Sequence, residues 1–288
     1  MPWKVFVAVL LVLGSAGAKL RSAEQPGPCV VVHGPTALPE IPEASGLAMS
    51  RRTPGILWTH NDSGETTVLF AVDVAGGVRG RVRLPIRTRD WEDISAARCP
   101  SGDCLYLADI GDNRLTGRRL EIYRVPEPSP DEAQTLRPEA FTVAYSDGAH
   151  NAEAAFVIDD TLFVITRDAR GGLYRSKVPF SSSTELTLER IGELGLASVT
   201  DAEASPDAAW VVARTSSEAI VYRATDLIRA IANPALRIPI DGLQEPQGEG
   251  VAFDPGGMLY LASEGPSETR AGRIMGLRCN MTALAADR

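Results

Sequence analysis

The stretch WEDISAARC, residues 91–99, opens on an acidic pair and runs straight into a short apolar strand. The same device recurs in EASGLAMS (43–50), NAEAAFVID (151–159), DAEASPD (201–207) and QGEGVAFD (247–254). The glutamates of these segments, Glu43, Glu92, Glu153, Glu203 and Glu249, stand 46 to 61 residues apart. A unit of that length holds about four short strands, and a series of such units is what the blades of a β-propeller produce. In that architecture the first strand of each blade lines a central axis. The repeat therefore predicts an all-β chain with a ring of carboxylates at one end of the axis.

The segments between the acidic openers support strands. Each opener is followed by a turn and then an apolar run with an aromatic at an equivalent place: Trp58, Tyr106, Phe163, Trp210 and Tyr260. A third run carries Phe70, Tyr123, Tyr174, Tyr222 and Met275. Period-2 alternation with aromatic and β-branched enrichment is the strand signature. Fourth strands are fainter, in GRVRLPI, AFTVAYS, LTLERIGEL and LRIPI. The last unit lacks one, and CVVVHG (29–34) from the other end of the chain is placed to supply it. Closing a ring in this way removes an exposed strand edge.

The expectation is thus a five-bladed propeller closed by its N-terminal strand. Its blades fall near residues 43–84, 91–146, 151–194, 200–240 and 247–279, the last completed by 29–34. The proline-rich stretch 126–138 reads as a surface loop, and ATDLIRAIANP (224–234) has helical spacing.

Four cysteines read as two disulfides in an oxidising compartment. Cys99 and Cys104 bracket a tight turn, and Cys29 and Cys279 come together if the terminal strands share a blade. Lys4, the apolar run 5–13 and the small residues 14–18 form a secretory signal peptide over residues 1–18. The apolar run is too short to span a membrane. Residues 19–288 then form a single domain that is secreted or periplasmic, monomeric and without an integral membrane segment. A net charge of −8 argues against nucleic acid and anionic membranes. Three histidines do not make a multi-histidine metal site. Asn61 and Asn280 begin glycosylation sequons.

Five carboxylates on one axis repel one another. They must take up protons, pair with arginine or bind a cation. Oxygen donors suit Ca²⁺, so Glu43, Glu92, Glu153, Glu203 and Glu249 are the expected metal ligands, with Ser45 beside them. The alternative is that these acids cap strand ends and accept hydrogen bonds from turn amides. The second strands end on His60 and Asp62, on Asp109 to Asn113, on Arg167, on Arg214 and on Glu264, all at the same face. His60, Asp62, Arg167 and Arg214 are the catalytic candidates: an acid or His60 to activate water, and the two arginines to grip a phosphate or carboxylate. No G-x-S-x-G elbow and no P-loop is present.

In DWEDI (90–94), ADIGDN (108–113) and EIYRVPEP (121–128) the chain resembles a group of secreted bacterial propellers of the esterase-like and phytase-like type. More distantly, five blades with axial carboxylates are similar to calcium-dependent nucleotidases of the apyrase type. Glu43, Glu92, Glu153, Glu203 and Glu249 occupy the analogous ring. Five-bladed glycosidases are a further analogue, with carboxylates as acid and base. These readings point to an extracellular module that binds a small molecule or partner around an axial calcium. The enzymatic alternatives are a metal-assisted phosphoesterase and, behind it, a glycosidase.

Overall fold

Short apolar runs and alternating segments form twenty strands among the described residues of the computed structural model. It describes residues 29–63, 67–135, 137–243, 245–254 and 256–280. The signal peptide and the end of the Asn280 sequon lie outside these residues. The first strand, β1 (Cys29–Leu38), is followed by an antiparallel quartet of β2 (Ala44–Met49), β3 (Ile56–Asn61), β4 (Val68–Asp73) and β5 (Val78–Arg83). The second quartet is β6 (Asp93–Cys99), β7 (Gly102–Asp109), β8 (Leu120–Pro126) and β9 (Glu139–Tyr145). The third is β10 (Ala152–Ile158), β11 (Thr161–Thr166), β12 (Gly172–Ser176) and β13 (Glu185–Glu193). A fourth comprises β14 (Asp201–Ala204), β15 (Trp210–Arg214), β16 (Glu218–Arg223) and β17 (Pro234–Pro239). The last comprises β18 (Gln247–Asp254), β19 (Met258–Glu264) and β20 (Gly272–Cys279), with β1 paired antiparallel to β20.

The first strands of the quartets adjoin in a circuit: β2 meets β6, β6 meets β10, β10 meets β14, β14 meets β18, and β18 returns to β2. Apolar clusters fill the seams between successive quartets. Trp58 and Trp91 share one cluster, Tyr106 and Tyr174 the next, and Phe163 and Tyr222 the third. Trp210 packs with Met275, and Phe70 with Tyr260. All ten residues marked by the repeat are therefore buried. Each contributes about 1.5–3 kcal/mol by leaving water, which is why the aromatics recur at the blade period.

Cys29 pairs with Cys279 in register and is bonded to it, and Cys99 is bonded to Cys104. Two features depart from the sequence reading. The fourth strand β13 also pairs in parallel with β9, from Glu185 opposite Thr142 to Leu188 opposite Tyr145, and so merges two quartets into one eight-stranded sheet. The expected helix at 224–234 is a single turn, α1 (Ala224–Leu227). Ala230 adopts φ +64°, which reverses the chain, and Pro234 then opens β17. Among the described residues no helix is long and apolar enough to cross a membrane.

Candidate functional site

The circuit of first strands ends in a polar cup of about 180 Å³ lined by Ser45, Asp62, Glu92, Asn113, Glu153, Arg167, Gln247, Glu249 and Glu264. Three of the five expected glutamates meet there. Glu92 directly precedes β6, whereas Glu153 and Glu249 stand at β-bulges, where the register slips between Ala152 and Ala154 and between Gly248 and Gly250. A bulge re-aims one side chain without ending the strand, and here it turns each carboxylate toward the axis. Asp62 and Glu264 arrive from the ends of the second strands, as the topology requires.

Gly111 makes room on the rim. A Cβ at this position would lie 2.1 Å from Glu92 Oε1 and 2.4 Å from Asp90 Oδ2. Only glycine lets both carboxylates approach the backbone so closely.

The other two glutamates stand elsewhere. Glu43 is half-buried beside the cup, where its carboxylate accepts a hydrogen bond from Ser63 Oγ at 2.6 Å. Glu203 lies in a deeper layer, 2% exposed, with Oε1 accepting from the Ala96 amide at 3.0 Å. Backbone register explains this. Asp93 stands opposite Ala108, two residues past Tyr106, and Glu203 stands opposite Val212, two residues past Trp210. Glu203 is therefore the counterpart of Asp93, one residue further into the strand than Glu92.

The deeper layer also holds Asp93 and Asp201, both fully buried. Asp93 Oδ2 accepts from the Ala155 amide at 2.7 Å, and Asp201 Oδ2 accepts from the Val251 amide at 2.5 Å. These acids stitch one first strand to another, from β6 to β10 and from β14 to β18. Burial raises all three carboxyls of this layer, Asp201 to about 8. Sequence reasoning missed Asp93 and Asp201. The signal was an Asp directly after Glu92 and a second at the start of DAEAS.

The acids of the cup are shifted for the same first reason, and mutual repulsion adds to it. Burial raises Asp62 to about 6, helped by Asp90, Glu43 and Glu249. Glu264 is raised to about 7 by burial and then by Glu249, Asp62 and Glu43. Glu92 is pushed well above the usual range, and Glu249 also rises, each chiefly through burial. The cup cannot hold all of its carboxylates ionised at neutral pH without positive charge.

Arg167, following β11, supplies some by pairing with Glu153 Oε1. The second oxygen, Glu153 Oε2, is buried and finds no hydrogen-bond partner. Among the described residues no three acid or histidine side chains already stand at metal-coordinating distances.

Arg214 does not line the cup, although its charge favours the ionised form of Glu249. It is fully buried, pairs with Glu245 at 2.8 Å and donates to Gly250 O at 3.0 Å. A Cβ on Gly248 would meet its Nη2 at 1.9 Å. His60 is also fully buried, with its ring stacked on Trp91 at 3.8 Å, and burial lowers it to about 3. It does not line the cup. Within ADIGDN, Asp109 accepts from the Arg89 and Asp90 amides and Asp112 from those of Thr116 and Gly117. These two acids hold turns, and only Asn113 of that motif reaches the cup.

No family model matches the chain, and no curated protein matches it. Among solved structures it is similar to the hydrazine synthase of Kuenenia stuttgartiensis, at 14% identity over 81% of this chain and 58% of that one, with a TM-score of 0.39. It is also similar to the WD40 β-propeller domain of Doa1, at 11% identity over 80% and 68% of the two chains and a TM-score of 0.33. A chain of the Mitotic Checkpoint Complex matches at 10% identity over 90% and 68%, with a TM-score of 0.38. The chain thus spans less than two thirds of the hydrazine synthase chain. Likenesses this loose carry no argument about activity, which is drawn instead from the chain's own residues.

Proposed function

We propose that the chain is a five-bladed β-propeller closed by β1, an extracellular binding module whose axial cup takes a hard divalent cation, Ca²⁺, and offers it to a ligand. The circuit of first strands, the five apolar seams and the β1–β20 pairing support the blade count. Two disulfides support an oxidising compartment.

The observation that carries the cation reading is Glu153 Oε2, a buried carboxylate oxygen without a partner, in a cup shared with Asp62, Glu92, Glu249 and Glu264. A buried polar atom left without a hydrogen-bond partner costs about 1–3 kcal/mol, and more when the group is charged. A divalent ion offsets that cost for several carboxylates together. Every other lining group except Arg167 is also an oxygen donor: the Ser45 hydroxyl and the Asn113 and Gln247 amides. This set suits Ca²⁺, which accepts six to eight oxygens in loose geometry. The cation would draw the carboxylates together and leave coordination positions for oxygen atoms of the ligand.

The phosphoesterase alternative needs two arginines at the reacting phosphate, and Arg214 is committed to Glu245. Binding without chemistry is therefore the better-supported reading. The test is thermal unfolding of EDTA-stripped protein as Ca²⁺ is added. At a hundred times the dissociation constant the gain is about 2.7 kcal/mol, and Glu249→Gln removes most of it. An unchanged melting temperature in the wild type would refute the cation site.

A further inference from the structure

The two arginines that end second strands occupy equivalent places but are held very differently. Arg214 is fixed by a two-pronged contact with Glu245 and by three backbone carbonyls, those of Thr215, Gly250 and Ala262, with no exposed surface. Arg167 is 37% exposed along its side chain, and among the described residues its one side-chain partner is Glu153. Its backbone is anchored, since the Arg167 amide donates to Asn151 O at 2.9 Å. The root is therefore fixed while the guanidinium is free to leave.

The pairing is also incomplete. Arg167 engages Oε1 of Glu153 and leaves Oε2, buried in a side chain only 6% exposed, without a partner. A single guanidinium faces Glu92, Glu249 and Glu264 as well, and its charge favours the ionised form of each. It thus does the electrostatic work of a cation in the cup with one charge and a planar head. A small divalent ion brings twice the charge and can engage both oxygens of Glu153 together with its neighbours. The guanidinium is already part-exposed, and the cost of uncovering the buried Glu153 carboxylate is offset by the ion that replaces it.

Resting on the cation reading above, we propose that Arg167 is a tethered counter-ion that closes the cup, is displaced by the incoming divalent cation, and then binds an anionic group of the ligand above it. Displacement leaves a guanidinium at the rim beside a metal ion. That pair suits an oxyanion, a carboxylate or a phosphoryl or sulfuryl group, which a guanidinium fork engages through two parallel hydrogen bonds. Cation and anion then bind with positive coupling, because each relieves the Arg167–Glu153 contact that the other must break.

The experiment is calorimetric titration of Ca²⁺ into EDTA-stripped wild type and Arg167→Ala, with and without sulfate as the oxyanion probe, folding being checked by circular dichroism. Removing the tethered competitor should tighten Ca²⁺ binding about tenfold. Sulfate should tighten binding to the wild type and leave Arg167→Ala unchanged. Glu153→Gln, which frees Arg167 but removes a ligand, should weaken Ca²⁺ binding. Equal affinities in wild type and Arg167→Ala, or weaker binding in the variant, would overturn the counter-ion role while leaving the cation site standing. Absence of Ca²⁺ binding in both folded proteins would overturn the cation reading and this inference with it.

Discussion

Two layers of acids lie along the same axis, and they have opposite fates. In the lower layer Asp93, Asp201 and Glu203 each accept a backbone amide from another first strand. In the cup, Glu153 keeps an oxygen with no partner, and Glu92, Glu249, Asp62 and Glu264 crowd around it. Side-chain chemistry is the same in both layers. What differs is position: each lower acid holds a backbone amide of another first strand, although Asp201 Oδ1 and Glu203 Oε2 have no partner either, whereas the cup acids line an open cavity. Acids that hold backbone amides build the scaffold, while acids that line the cavity are within reach of a ligand.

The comparison breaks most visibly at Asp201. Asp201→Ala strands the Val251 amide inside the protein and should cost about 2–4 kcal/mol in urea unfolding. Asp201→Asn retains an acceptor oxygen for the Val251 amide, so it should cost less than half as much. If the alanine variant were as stable as the wild type, the lower layer would have no structural task.

Gly111→Ala strikes the boundary between rim and cup. Its Cβ forces Glu92 and Asp90 away, which should cost about 1–3 kcal/mol and weaken Ca²⁺ binding measurably by calorimetry. Full retention of both would mean that Glu92 is not held against the backbone there.

A gentler probe is pH. Asp62, raised to about 6, and Glu264, raised to about 7, bind more protons in the folded chain than in the unfolded one. Stability should therefore fall as pH rises from the ordinary carboxyl range near 4 toward 7, because the folded state must give up protons it holds favourably. Glu264→Gln should flatten that fall in a series of thermal melts. Calcium should flatten it too, since it takes the place of the protons, and its affinity should decline as pH drops below about 7. The smallest effect belongs to Glu43, outside the cup lining. Glu43→Gln should change stability by less than about 0.5 kcal/mol and leave Ca²⁺ affinity within twofold.

The scaffold was largely legible in the chain. Aromatics at the blade period, the missing fourth strand and the position of Cys29 opposite Cys279 follow from burial and edge pairing, which leave periodic marks. The site was legible only in part. Glu92, Glu153 and Glu249 meet as their spacing implies, but Glu203 misled because DAEAS carries both an Asp and a Glu. Sequence similarity aligns the two glutamates, whereas strand pairing, with Asp93 opposite Ala108 and Glu203 opposite Val212, aligns Glu203 with Asp93. Bulges at Glu153 and Glu249 add one residue without any mark in composition. Arg214 could not be told from Arg167, because its partner Glu245 comes from a loop 31 residues away. His60 stood among the catalytic candidates for a similar reason. Its stacking partner Trp91 belongs to the next quartet's entry.

The most direct measurement is calorimetric titration of Ca²⁺ into EDTA-stripped wild type, Glu153→Gln and Asp201→Asn. The two-layer account predicts one bound ion in the wild type, retention of that ion in Asp201→Asn and loss of at least tenfold in affinity in Glu153→Gln. No binding by the wild type, or equal binding by wild type and Glu153→Gln, would contradict it.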